Sequence, residues 1–139
     1  MPSEIADLEM KLRDAQLRPT KQRLALAELL YARGNRHITA ERLHSEAMEA
    51  GVAISLATIY NNLHQFTSAG LLREVVVDSS RSYFDTNVDP HHHFFHEETG
   101  QLEDIERSNL TIANIPALPE GTEISSVDVI VRVSSVRRR

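Results

Sequence analysis

The apolar pattern of this chain changes period once, at Gly70, and that change constrains the fold more than any other feature. Before it, Leu56, Ile59, Leu63 and Phe66 recur at i, i+3, i+7 and i+10, the stripe of an amphipathic helix opened by Ser55, with Thr58, Asn61, Asn62 and Gln65 outside the stripe. After it, residues 72–77, a turn at Asp78-Ser79-Ser80 and residues 81–85 read as a β-hairpin. Three helices are expected upstream. The first covers residues 4–16 with Ile5, Leu8 and Leu12 on one stripe. The second is capped by Thr20 and runs to about Ala32 with Leu26, Leu29 and Leu30 inward, until Gly34-Asn35 stops it. The third is capped by Thr39, turns Leu43, Ala47 and Met48 inward and ends near Gly51. Helices followed at once by a hairpin make a winged helix.

From Asn87 the composition turns to histidine and acid, and Asp89-Pro90 punctuates the change. The expected fold is α+β: a winged-helix domain over residues 1–86, a hinge at 87–90, and a small α/β domain over 91–139. Strands are expected at 92–96, 101–105 and 123–133, with a short helix at 109–113 before the loop of Pro116 and Pro119. Arg137-Arg138-Arg139 reads as a solvated tail.

Composition narrows the chemistry. The 139 residues include no cysteine, which excludes disulfides, a thiolate nucleophile and any Cys-ligated zinc or iron–sulfur cluster. Any metal must be held by His, Asp and Glu. The apolar runs fall short of the roughly 20 residues that span a bilayer, and the N-terminus is acidic, so neither membrane nor export is expected and the chain reads as cytoplasmic.

The net charge of −5 speaks against nucleic acid, yet the charge is separated along the chain. Residues 18–42 carry Arg18, Lys21, Arg23, Arg33, Arg36 and Arg42 against Glu28 and Glu41, whereas residues 81–139 carry ten acids and six arginines. A basic segment, a helix with a polar outer face and a hairpin after it together point to DNA reading, because short polar side chains must reach base edges while the opposite face anchors in a core.

The densest chemical signal is His91-His92-His93-Phe94-Phe95-His96. In a strand the period of two sets His91 and His93 on one face and His92 and His96 on the other. Together with His37, Asp85 and Asp104 they offer a mixed N/O set suited to manganese, iron or zinc. His44 and His64 lie within helices and read as structural.

The segments Leu17-Arg18-Pro19-Thr20-Lys21-Gln22-Arg23, His37-Ile38-Thr39-Ala40-Glu41-Arg42-Leu43 and Ser55-Leu56-Ala57-Thr58-Ile59-Tyr60, the last followed by Ala69-Gly70-Leu71, resemble the ferric uptake regulator family. The resemblance implies a homodimer whose C-terminal strands pair, and whose recognition helices read an AT-rich pseudo-palindromic operator in double-stranded DNA. It implies DNA contacts by Arg18 in the minor groove and by Thr58, Tyr60, Asn61 and Asn62 on the recognition helix, Tyr60 against thymine methyls. Asn61 stands where the family usually has arginine; an amide favours adenine and arginine favours guanine, so a different operator is expected. The resemblance further implies a regulatory metal site between the two domains, with His37, Asp85, His91, His93 and Asp104 as ligands. Where the family carries paired cysteines this chain has His96 and Thr99, so the family's structural zinc cannot form. A further family metal site is degraded at Thr111 and Val127.

The missing cysteines and the unbroken histidine triplet resemble in particular the iron response regulator branch of rhizobia and related alphaproteobacteria. That resemblance implies a repressor of haem-synthesis and other iron-demanding genes under low iron, released or inactivated by haem, with haem taken by His91, His92 or His93 and packed against Phe94 and Phe95. Two alternatives stand beside it. One is a manganese- or ferrous-ion-dependent repressor of the same family without haem sensing. The other is a His/Asp metal-dependent hydrolase, which needs an open metal position and a substrate pocket and has no use for the 55–70 helix and its wing.

Overall fold

The computed structural model describes residues 4–136; Arg137-Arg138-Arg139 lie outside the described residues. The chain divides into two units, Met1–Val88 and Asp89–Arg139.

The first unit runs α1 (Glu4–Asp14), α2 (Lys21–Tyr31), β1 (His37–Ile38), α3 (Ala40–Glu49), α4 (Leu56–Ser68), β2 (Arg73–Asp78) and β3 (Arg81–Asp85). Each helix start after the first is fixed by a hydroxyl that takes an otherwise orphaned backbone N–H: Thr20 accepts from Arg23 N at 3.2 Å, Thr39 from Arg42 N at 3.1 Å and Ser55 from Thr58 N at 3.1 Å. The stops at Gly51 and Gly70 use left-handed backbone, with φ of 75° and 82°. There Leu71 N returns to Phe66 O at 2.9 Å and Gly70 N to Thr67 O at 3.1 Å, closing the last turn of α4.

One core holds the unit together. Leu12, Leu26, Leu30, Ile38, Leu43, Ala47, Ile59, Leu63, Phe66 and Phe84 are buried in it, three of them from α4 and one or two from each of the other helices, β1 and β3. Two expected apolar positions are exposed, Ile5 at 53% and Met48 at 64%, while Leu8, Leu29 and Leu56 are half-buried. Met48 follows Ala47, already inward, by one residue, and a rotation of about 100° carries it off the buried stripe. Asn62 departs in the opposite direction. It was expected on the outer face but is buried beside Leu63, and its amide donates to Thr58 O at 2.9 Å, which satisfies it within its own helix.

The hairpin of β2 and β3 gains a third strand, so that the order is β1-β3-β2, all antiparallel. Two residues of β1 are too few to show a period, so the sequence gives no sign of a strand there. The strand is clamped at its entry by Arg36 N donating to Thr86 Oγ1 (2.8 Å) and Thr86 N donating to Arg36 O (3.1 Å).

Arg36 also grips Glu46 of α3 with both terminal guanidinium nitrogens, at 2.9 and 2.7 Å, and donates to Leu29 O at 3.1 Å. The Arg36 hydrogen bonds, above all, hold the Glu46 carboxyl below the usual carboxylate range. A depressed folded-state pKa stabilises above the unfolded value and is lost as pH falls through the folded one. Glu46→Gln should therefore cost roughly 1.5–3 kcal/mol at neutral pH. Urea unfolding at neutral and at acid pH should show that difference shrinking on acidification; an equal difference at both would overturn this account.

The second unit carries β4 (His92–His96), β5 (Leu102–Ile105) and β6 (Ile130–Val133), in the order β5-β4-β6, with β4 antiparallel to β5 and parallel to β6. Phe95, Leu102 and Ile105 are buried in it. The third strand is shorter than expected, because β4 offers β6 pairing positions only over His93–His96 and residues 123–129 have no ladder to join. The expected helix at 109–113 is likewise replaced: a 3-10 turn at Arg107–Asn109 gives way to irregular, exposed chain through Pro116 and Pro119, with Asn114 in the left-handed region at φ 62°. Proline and the β-branched Thr111 and Ile112 disfavour a helix there.

Candidate metal ligands and DNA-reading helix

The register of β1 on β3 places His37 opposite Asp85. His37 Nε2 lies 3.3 Å from Asp85 Oδ2, and the Asp85 side chain is 1% exposed. Asn87 N donates to Asp85 Oδ1 at 2.9 Å, which leaves Oδ2 turned to the imidazole. A carboxylate this deeply buried must be paired or coordinated.

In the second unit, His93 and Asp104 are register partners of β4 and β5. His91 Nε2 and His93 Nε2 both approach the same atom, Asp104 Oδ1, at 3.2 and 3.3 Å, with ring centroids 4.5 Å apart. The opposite ring nitrogen of His91 contacts Asp89 O, and a carbonyl accepts only, so Nδ1 carries the proton. In the neutral ring Nε2 then aims a lone pair at a carboxylate oxygen, an arrangement that calls for a proton or a cation between them. Two imidazoles and one carboxylate converging in this way suit a divalent metal of borderline or hard character. Asp85 with His37 offers the same donor chemistry in the first unit.

The other histidines are placed differently. His92 is on the opposite face of β4, and its Nδ1 accepts from Val129 N at 3.0 Å, so that nitrogen is already occupied. His96 Nε2 meets Glu103 Oε1 at 2.9 Å. The cavity beside His96 is about 220 Å³ and is lined by polar residues such as Glu98, Thr99 and Ser135. None of His91, His92 and His93 lines it.

On α4, Tyr60 and Asn61 are exposed, Thr58 is half-buried, and Asn62 faces inward as described. Thr58 is occupied locally, its Oγ1 accepting from Ser55 Oγ at 2.8 Å. Arg18 is exposed in the turn before α2. Sequence reasoning missed what ties that turn to α4: Arg23 donates to Arg18 O at 2.9 Å and to Gln65 Oε1 at 2.8 Å. It also missed Glu41, which accepts from Tyr60 OH. No periodicity links residues 42 or 19 positions apart, although Gln65 on the outer face of α4 was a visible acceptor.

A winged helix with a polar recognition face, joined to a strand unit that presents paired imidazoles, defines a DNA-binding regulator with a metal site. The model of the ferric uptake regulator family matches residues 14–132, and the chain belongs to that family. It is thus a metal-responsive transcriptional repressor and not an enzyme, which removes the hydrolase alternative. The peroxide-responsive repressor PerR of Staphylococcus aureus (strain Mu50) is 34% identical over 107 residues, 77% of this chain and 72% of that protein. Among solved structures, the ferric uptake regulator from Pseudomonas aeruginosa with manganese is 24% identical, covers 94% of this chain and 98% of its own, and superposes with a TM-score of 0.70. The Vibrio cholerae ferric uptake regulator is 22% identical over 91% and 98%, with a TM-score of 0.71. These two establish the α+β fold. No helix among the described residues is long and apolar enough to cross a membrane.

Proposed function

We propose that the protein is an iron-responsive repressor that binds an AT-rich pseudo-palindromic operator as a homodimer, and that His37, Asp85, His91, His93 and Asp104 share one divalent ion, manganese or iron. The observation that carries this reading is the convergence of His91 and His93 on a single oxygen of Asp104. His37 and Asp85 belong to the DNA-binding unit and the other three to the strand unit, so an ion shared among them favours whichever arrangement of the units brings the ligands together. The ion moves that equilibrium only by its differential affinity for the arrangements. Two recognition helices spaced by the dimer then enter successive major grooves, with Tyr60 and Asn61 toward the bases and Arg18 toward the minor groove.

A second reading, favoured by the His91-His92-His93 triplet in a chain without cysteine, makes haem the releasing signal, as in the iron response regulator branch. Haem held by one of these imidazoles would withdraw it from the ion. Anisotropy of a fluorescent AT-rich palindromic duplex, at fixed salt, separates the two. Binding that rises with manganese and ignores an equimolar addition of haem supports the metal-dependent repressor; binding lost with haem, together with a shift of the haem absorption band on the chain that vanishes when His91, His92 and His93 are all alanine, supports the second. Binding insensitive to both would reject the sensing role of the cluster.

A further inference from the structure

The phenol of Tyr60, exposed on α4, is held by a carboxylate from another helix. Its hydroxyl donates to Glu41 Oε1 at 2.7 Å, joining the recognition helix to the first turn of α3. That hydrogen bond, ahead of burial, raises the phenol's pKa and keeps it a donor. One turn along α4, His64 stacks with the Tyr60 ring at 6.3 Å between centroids and 21° between planes. His64 is seated in turn on the edge of Phe84, a buried residue of β3, at 5.7 Å and 75°. The ring is thus fixed at its hydroxyl by α3 and at its face by a side chain resting on the wing.

Glu41 is exposed, and a carboxylate beside a DNA-reading helix repels phosphates whatever the sequence. A residue with that general disadvantage can favour specific binding by what it does to its neighbour. An unrestrained tyrosine adapts its ring to different base edges; a tethered one offers a single pose.

We propose that Glu41 is a positioning residue for sequence selectivity: it holds the Tyr60 phenol, against the backing of His64, in the one pose that reads the operator. The inference rests on the reading of Tyr60 as a base-contacting residue.

Comparing Glu41→Ala with Glu41→Gln isolates the tether, because both remove the charge while glutamine keeps an acceptor for the phenol. The full chain with manganese would be used to select from a pool of random DNA duplexes, and enrichment read at each base position, with Tyr60→Ala in parallel. Thermal melting confirms that each variant is folded; Glu41 and Tyr60 lie outside the core. At the positions where Tyr60→Ala loses discrimination, Glu41→Ala should lose roughly three- to tenfold and Glu41→Gln less than about twofold, as expected for one hydrogen bond. Both should bind random duplex more tightly than the parent, and equally so. If Tyr60→Ala reduces discrimination while the two Glu41 variants discriminate alike, the tether is overturned and the reading of Tyr60 stands. If Tyr60→Ala leaves discrimination unchanged, the reading of Tyr60 fails and the tether's role with it.

Discussion

Asp85→Asn is expected to move the manganese midpoint of operator binding upward by at least the 10- to 100-fold that even outer partners of metal ligands contribute. The substitution is nearly isosteric, and the acceptor for Asn87 N at Oδ1 survives, so the β1–β3 pair keeps its register. What disappears is the negative charge 3.3 Å from His37, in a side chain 1% exposed. The parent chain should also melt later with manganese, since an ion at about 100 times its Kd adds roughly 2.7 kcal/mol of stability. The variant should show little of that rise. A manganese midpoint equal to the parent's would remove Asp85 from the ligand set.

The second large effect concerns stability. Phe66 is 0% exposed at the end of the recognition helix, packed in the cluster that also takes Leu26, Leu30 and Leu63. Phe66→Ala removes its ring from that packed interior and should cost about 3–5 kcal/mol. Against a total of about 5–15 kcal/mol for a protein of this kind, that removes from about a fifth of the stability to nearly all of it. Urea titration should show the midpoint falling with an unchanged slope, and operator binding falling with it. A loss under about 1 kcal/mol would mean that α4 is not anchored as described.

How much of this was legible in the sequence depended on the distance over which each feature is encoded. Thr20, Thr39 and Ser55 were readable as caps because a cap needs only a hydroxyl and the amide three residues on. The wing was readable from the change of period at Gly70, and His92–His96 from its alternation. Asn62 was not, because polarity assigned it outward while its position beside Leu63 turned it in, and a local bond to Thr58 O removed the cost. Residues 123–129 show strand-like residue types, but a strand exists only where a neighbour supplies a ladder, and sequence does not reveal that β4 is too short. The His37 and Asp85 pairing was available only through family resemblance, since a two-residue strand leaves no trace of its own.

The hairpin between β4 and β5 is closed without sulfur: Gly100 N donates to His96 O at 2.8 Å, His96 meets Glu103, and Glu98 accepts from Ser135 N at 3.0 Å. With no cysteine in the chain, ordinary hydrogen bonds fasten this corner. Chelators and oxidants therefore find no thiolate to strip or cross-link, and dialysis against EDTA should empty the regulatory ligands without unravelling the strands that carry them. If His37, Asp85, His91, His93 and Asp104 hold the ion as proposed, the residues that hold the shape of this corner are not the ones that sense metal, and a cell starved of metal would keep a folded receptor ready to be reloaded.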